Sequence, residues 1–209
     1  MKDLVLLVAD KDMEMVFRGL LNRPRALGIR QIQYDVFTHP RRDPDVRTEA
    51  VEFLRPYQSD YHYALVLFDY KGCGAEHVPA GALQRQLQAT IAAAGWLNRC
   101  EVVVIEPERE AWVFSPSRHV VQVLAQGDDA YFQQVLSSYQ TSRYGKPDAP
   151  KEAMERLLRG KGIPRSSSLY RRLAESVSVS QCKDSAFIRL RNILQHWFPQ
   201  EDTASCSSP

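Results

Sequence analysis

The apolar residues of the first hundred or so positions fall into short unbroken runs that alternate with stretches of helical spacing. Residues 4 to 9 (LVLLVA) carry no polar alternation, which is how a strand covered on both faces reads, and Met13, Val16, Phe17, Leu20 and Leu21 then recur at steps of three and four. Ile32, Tyr34 and Val36 alternate with Gln33, Asp35 and Phe37, as in a partly exposed strand. A loop is expected over 39–45, a helix from Val46 to Tyr57, and a buried strand over 64–68 (ALVLF). Leu83, Leu87, Ile91 and Ala94 mark another helix, and EVVVI at 101–105 a fourth strand.

The order β-α-β-α-β-α-β predicts an α/β fold: a TOPRIM- or Rossmann-like, mostly parallel sheet of about four strands with helices on both faces. Beyond it the pattern turns helical. Trp112, Val120, Val121, Val123 and Leu124 suggest helix, Ala130 to Ser138 another, and after the break KPDAP at 146–150 three more are expected near 150–160, 166–177 and 184–198. Phe187, Leu190, Ile193, Leu194 and Trp197 share one face of the last, a core-packing stripe. The expected organisation is a domain over 1–125, a helical extension over 126–198 packed on it, and a disordered tail over 199–209.

At 209 residues and 44% hydrophobic content the chain can bury one substantial core. No apolar run approaches the roughly 20 residues that span a bilayer, so no membrane partner is expected. The start MKDLVLLVADKD reads as a first strand and not a signal peptide. Cys73, Cys100, Cys182 and Cys206 lack paired spacing, which suits a reducing cytoplasm better than a disulfide framework or a zinc cluster. The net charge of +2 hides an asymmetry: residues 151–197 hold ten Lys or Arg against four Asp or Glu. Such a segment is either a solvated basic face or a contact for a phosphate-rich partner.

In an open parallel sheet, ligands bind outside the carboxyl ends of the strands. Acids stand at those ends: Asp10, with Asp12 and Glu14 behind it; Asp69; and Glu106, with Glu108 and Glu110 following. Gathered carboxylates repel unless a cation lies among them, and an oxygen-only set suits Mg²⁺ or Mn²⁺. Helix capping accounts for any one of these acids equally well, but less well for Asp69. Neither GxxxxGK[ST] nor GxGxxG occurs, so a P-loop or a dinucleotide cofactor is disfavoured. Ser115, Ser117 and His119 give no sign of a triad, and Cys73 reads as a small loop residue before it reads as a reactive thiol.

VADKDME, VLFDYKG and VVVIEPEREAW, in this order, resemble the TOPRIM-like proteins of the domain of unknown function 4276 group. These are small relatives of the nuclease module of OLD-type proteins, some encoded in bacterial phage-defence clusters. Pro150, Lys151, Glu152, Tyr170, Ser185, Phe187 and Leu190 extend the likeness, which spans residues 4 to 197. The resemblance implies a Mg²⁺- or Mn²⁺-dependent nuclease or nucleic-acid-binding protein of an anti-phage system. Asp10, Glu14 and Asp69 would hold metal, and Glu110 would assist.

Lys71 stands where that group carries a second acid. It either weakens the metal site, grips a substrate phosphate together with Arg171 and Arg172, or pairs with Asp10 or Asp69 in a catalytically degenerate scaffold subunit. Other defence-system proteins are the implied partners, and an oligomer is compatible with the pattern. An enzyme acting on a small phosphorylated molecule is a further alternative.

Overall fold

The structure is a computed structural model that describes residues 1–40, 42–141, 145–179 and 182–200. The expected tail therefore lies mostly outside the described residues. Four strands, β1 (Lys2–Val8), β2 (Tyr34–Thr38), β3 (Tyr61–Asp69) and β4 (Cys100–Ile105), form one all-parallel sheet in the order β2-β1-β3-β4. Leu4 pairs with both Tyr34 and Tyr63, and Val66 pairs with Val102, so the carboxyl ends of the strands finish together.

Period-two alternation explains why the runs are continuous rather than amphipathic. Leu4, Leu6, Val8, Leu65, Leu67, Val103 and Ile105 face one core, under helices α1 (Lys11–Leu21) and α10 (Ser185–Trp197). Val5, Leu7, Ala64, Val66, Phe68, Val102 and Val104 face the other, under α3 (Arg42–Leu54) and α4 (Ala80–Ile91). Each face buries its own set of side chains, so both must be apolar.

Three details depart from the expected pattern. The helix after β2 begins at Arg42 rather than Val46, because Pro44 is accepted in a first turn, where its missing N–H has no intrahelical partner to lose. A short helix α2 (Pro24–Leu27) follows α1. The stretch from Trp112 to Leu124 is two helices, α5 (Glu110–Val113) and α6 (Arg118–Ala125), broken around Pro116.

Helices α7 (Asp129–Leu136), α8 (Pro150–Gly160) and α9 (Ser167–Ser176) enclose a third core with α6, built on Val120, Leu124, Phe132, Leu157, Tyr170 and Leu173. Within the expected break, Lys146 is buried and lies 3.5 Å from Asp184, the N-cap of α10. Helix α9 crosses α1 at Gly19, where an added Cβ would meet Ala174 Cβ at 2.7 Å and the Arg171 carbonyl at 2.9 Å. The α1–α9 contact ties the C-terminal helices to the sheet beside the ends of its strands.

Candidate functional site at the strand ends

The order β2-β1-β3-β4 reverses direction between β1 and β3, and a parallel sheet opens a crevice at such a switch point. Asp10 follows β1 and Asp69 ends β3, so these two acids flank the crevice. Around it lies a cleft of about 410 Å³ whose lining carries Asp10, Asp12, Asp43, Asp69, Glu108 and Glu110 together with Lys11, Lys71, Arg109, Lys151 and Arg165.

Arg109, in the loop after β4, fills the position between the two acids. Its Nη2 donates to Asp10 Oδ2 and its Nη1 to Asp69 Oδ2, both at 2.8 Å, while its backbone N–H donates to Asp69 Oδ1, also at 2.8 Å. One residue thereby satisfies both oxygens of Asp69, and the Asp69 N–H is itself bound by Asp43 Oδ1 at 2.8 Å. Charge-assisted bonds of this length to a planar fork are the strong kind. The remaining oxygen of Asp10 caps α1 by accepting the Met13 N–H at 2.9 Å. Capping and ion pairing coexist on one side chain.

Burial is nearly complete for Arg109 at 7% exposure, Asp69 at 5% and Glu110 at 1%. Burial pushes the Asp69 carboxyl well above the usual carboxylate range against the pull of Arg109, and pushes Asp43 up as well. Burial works against the Arg109 charge too, but Asp69, Glu110 and Asp10 outweigh it, so the guanidinium is held firmly cationic.

A second group sits beside the first. Glu110 Oε1 accepts from the Tyr170 hydroxyl at 2.5 Å and from Arg165 Nη2 at 3.1 Å, and Arg165 Nη2 also reaches Asp12 Oδ2 at 3.3 Å. Asp12 Oδ1 accepts from the Ser167 hydroxyl at 2.6 Å. Burial raises the Tyr170 phenol, and Glu110 adds to the shift.

Of the residues singled out in the sequence, Asp10, Asp12, Asp69, Glu108, Glu110 and Lys71 line the cleft, whereas Glu106 is not part of its lining. Glu14 does not: its carboxylate turns along α1 to Lys11 at 2.9 Å and Arg18 at 2.7 Å. Arg171 pairs with Glu175 on α9, and Arg172 is exposed on the same helix; neither lines the cleft. Lys71 points outward, 3.3 Å from Glu152 and 3.9 Å from Glu108, so the ion pair expected of it at Asp10 or Asp69 is made by Arg109. Cys73 is fully buried and its thiol is raised by that burial, as suits a small packing residue.

Sequence reasoning missed Arg109, Asp43 and Arg165. Arg109 had a signal, a lone base inside the acidic run EPERE.

A Mg²⁺ ion needs several oxygens converging at about 2.1 Å in octahedral array. Among the described residues no group of three Asp, Glu, His or Cys side chains is disposed to hold a metal ion. The outward oxygens of Asp10 and Asp69 are engaged by the guanidinium instead. In this arrangement the residues do not fit a divalent cation.

Fold and site together define an α/β protein with a parallel sheet and a charge-filled crevice at its switch point. No family model, curated protein or solved structure gives a significant match to the chain. Among the described residues no helix is long and apolar enough to cross a membrane.

Proposed function

We propose that this chain is a TOPRIM-like component of a prokaryotic anti-phage defence system that works as a binding subunit, for nucleic acid or for other proteins of that system, and not as a hydrolase. The observation that carries the reading is the Arg109 guanidinium, 2.8 Å from both Asp10 and Asp69, at the place where a phosphodiesterase of this design would need a metal ion. A guanidinium can neutralise carboxylates, but it cannot lower the pKa of a bound water as a metal does, so the attacking hydroxide has no source there. Lys71 in place of a second acid after β3 agrees with the same conclusion.

A second reading, a Mg²⁺- or Mn²⁺-dependent nuclease, is favoured by one feature, the six carboxylates that face a single cleft. Incubating the purified chain with single-stranded DNA, double-stranded DNA and RNA, in Mg²⁺ and in Mn²⁺, separates the two. The binding-subunit reading expects intact polymer in every case. Cleavage that disappears in Asp69→Asn would overturn it in favour of the nuclease.

A further inference from the structure

We propose that Arg165 is a second resident cation of the cleft, supplied by the helical C-terminal part of the chain, and that it shuts the outer carboxylates off from other cations. The inference rests on Arg109 being the first. Arg109 spans Asp10 and Asp69, but Asp12 and Glu110 lie beyond its hydrogen-bonding reach, at 3.9 Å and 3.8 Å. Those are two of the three acids that Arg165 reaches: its Nη2 lies 3.3 Å from Asp12 and 3.1 Å from Glu110, while its Nη1 is anchored by Glu155 at 2.8 Å. The two guanidinium groups thus divide the four carboxylates Asp10, Asp69, Asp12 and Glu110 between them without sharing a hydrogen bond, and Glu155 holds the other arm of Arg165.

Both groups also lie over one ring. The Arg109 and Arg165 carbons sit 5.7 Å and 5.5 Å from the centre of Tyr170, within the range where an aromatic face attracts a cation. The Tyr170 hydroxyl donates to Glu110, so α9 holds the second pair from behind while Ser167 tethers Asp12. Two like charges this close are tolerated because each faces carboxylates.

The two cations differ in access. The Arg109 side chain is 8% exposed, whereas that of Arg165 is 29% exposed and belongs to the connection between α8 and α9. Of the two guanidinium groups, Arg165 is therefore the one an entering cation can reach. Lifting that one side chain uncovers Asp12 Oδ2 and leaves Glu110 Oε1 with the Tyr170 hydroxyl alone, without disturbing the buried Arg109 pair.

The test is a calorimetric titration of Mn²⁺ near neutral pH into the full chain, its Arg165→Ala and Arg165→Lys variants, and Arg165→Gln, which removes the charge but keeps a polar side chain. Wild type is expected to show no binding tighter than roughly 10 mM. Arg165→Ala and Arg165→Gln should gain about tenfold or more in affinity, since a positive charge close to the incoming ion is gone, while Arg165→Lys should stay near wild type. Circular dichroism confirms which variants are folded. Folded Ala and Gln variants as silent as wild type would overturn the role given to Arg165, with the reading of Arg109 left standing. Micromolar binding by the wild type would overturn the reading of Arg109 itself, and this inference with it.

Discussion

Replacing Arg109 by leucine removes the partner of two buried or half-buried carboxylates while leaving a shorter apolar side chain beside Trp112, Tyr170 and Leu173, which line the adjoining cavity. Two charge-assisted hydrogen bonds at 2.8 Å are lost, each worth about 1.5–3 kcal/mol net, and breaking a buried pair from one side costs about 3–5 kcal/mol. The leucine recovers part of this by burial, so a net loss of about 3–4 kcal/mol is expected, a large share of the 5–15 kcal/mol that holds a typical domain together. Urea denaturation followed by tryptophan fluorescence measures it.

The same experiment on Asp69→Asn and on the double variant isolates the pair. Removing both partners should cost at least about 1 kcal/mol less than the sum of the single changes. The pH dependence has a definite sign. Without Arg109 the Asp69 carboxyl, already raised above its usual 3.8 by burial, rises further in the folded state. The folded state then binds more protons than the unfolded one, so stability of the leucine variant falls as pH rises above about 4 and recovers on acidification. A loss under about 1 kcal/mol, or strict additivity in the double variant, would refute a guanidinium that bridges these acids.

Two further outcomes follow from the packing. Gly19→Leu should lower the melting temperature by several degrees or prevent folding, because its Cβ would lie 2.7 Å from Ala174 Cβ and 2.9 Å from the Arg171 carbonyl, with backbone on both sides unable to yield; unchanged melting would argue against the α1–α9 crossing. Cys73, buried and with its thiol raised above the ordinary range, should react with a thiol reagent only after denaturant is added, and rapid labelling of that residue in the native protein would contradict its placement under α3 and α4.

The sheet and its helices were legible in the sequence because each rests on local periodicity. Unbroken runs such as ALVLF mean burial on both faces, and both faces are covered; even the three C-terminal helices were placed within a residue or two. Strand ends were legible too, and with them Asp10, Asp69 and Glu110. Glu14 was misplaced by helical phase: Asp10 is the N-cap and turns toward the crevice, whereas Glu14 lies one turn on, between Lys11 and Arg18. Asp43 was hidden because Pro44 reads as loop. Arg165 pairs in the cleft with residues 153 and 55 positions away, a separation that no periodicity can reveal. Arg109 was the informative miss, since a base among acids at a strand end is itself a hint that the cation needed there is covalently part of the chain.

The most direct test of that idea is diffraction from crystals soaked in Mn²⁺, with the anomalous signal locating the ion. Guanidinium density between Asp10 and Asp69, with no anomalous peak there, is the expected result. A Mn²⁺ peak bridging those two carboxylates, with Arg109 swung aside, would contradict it.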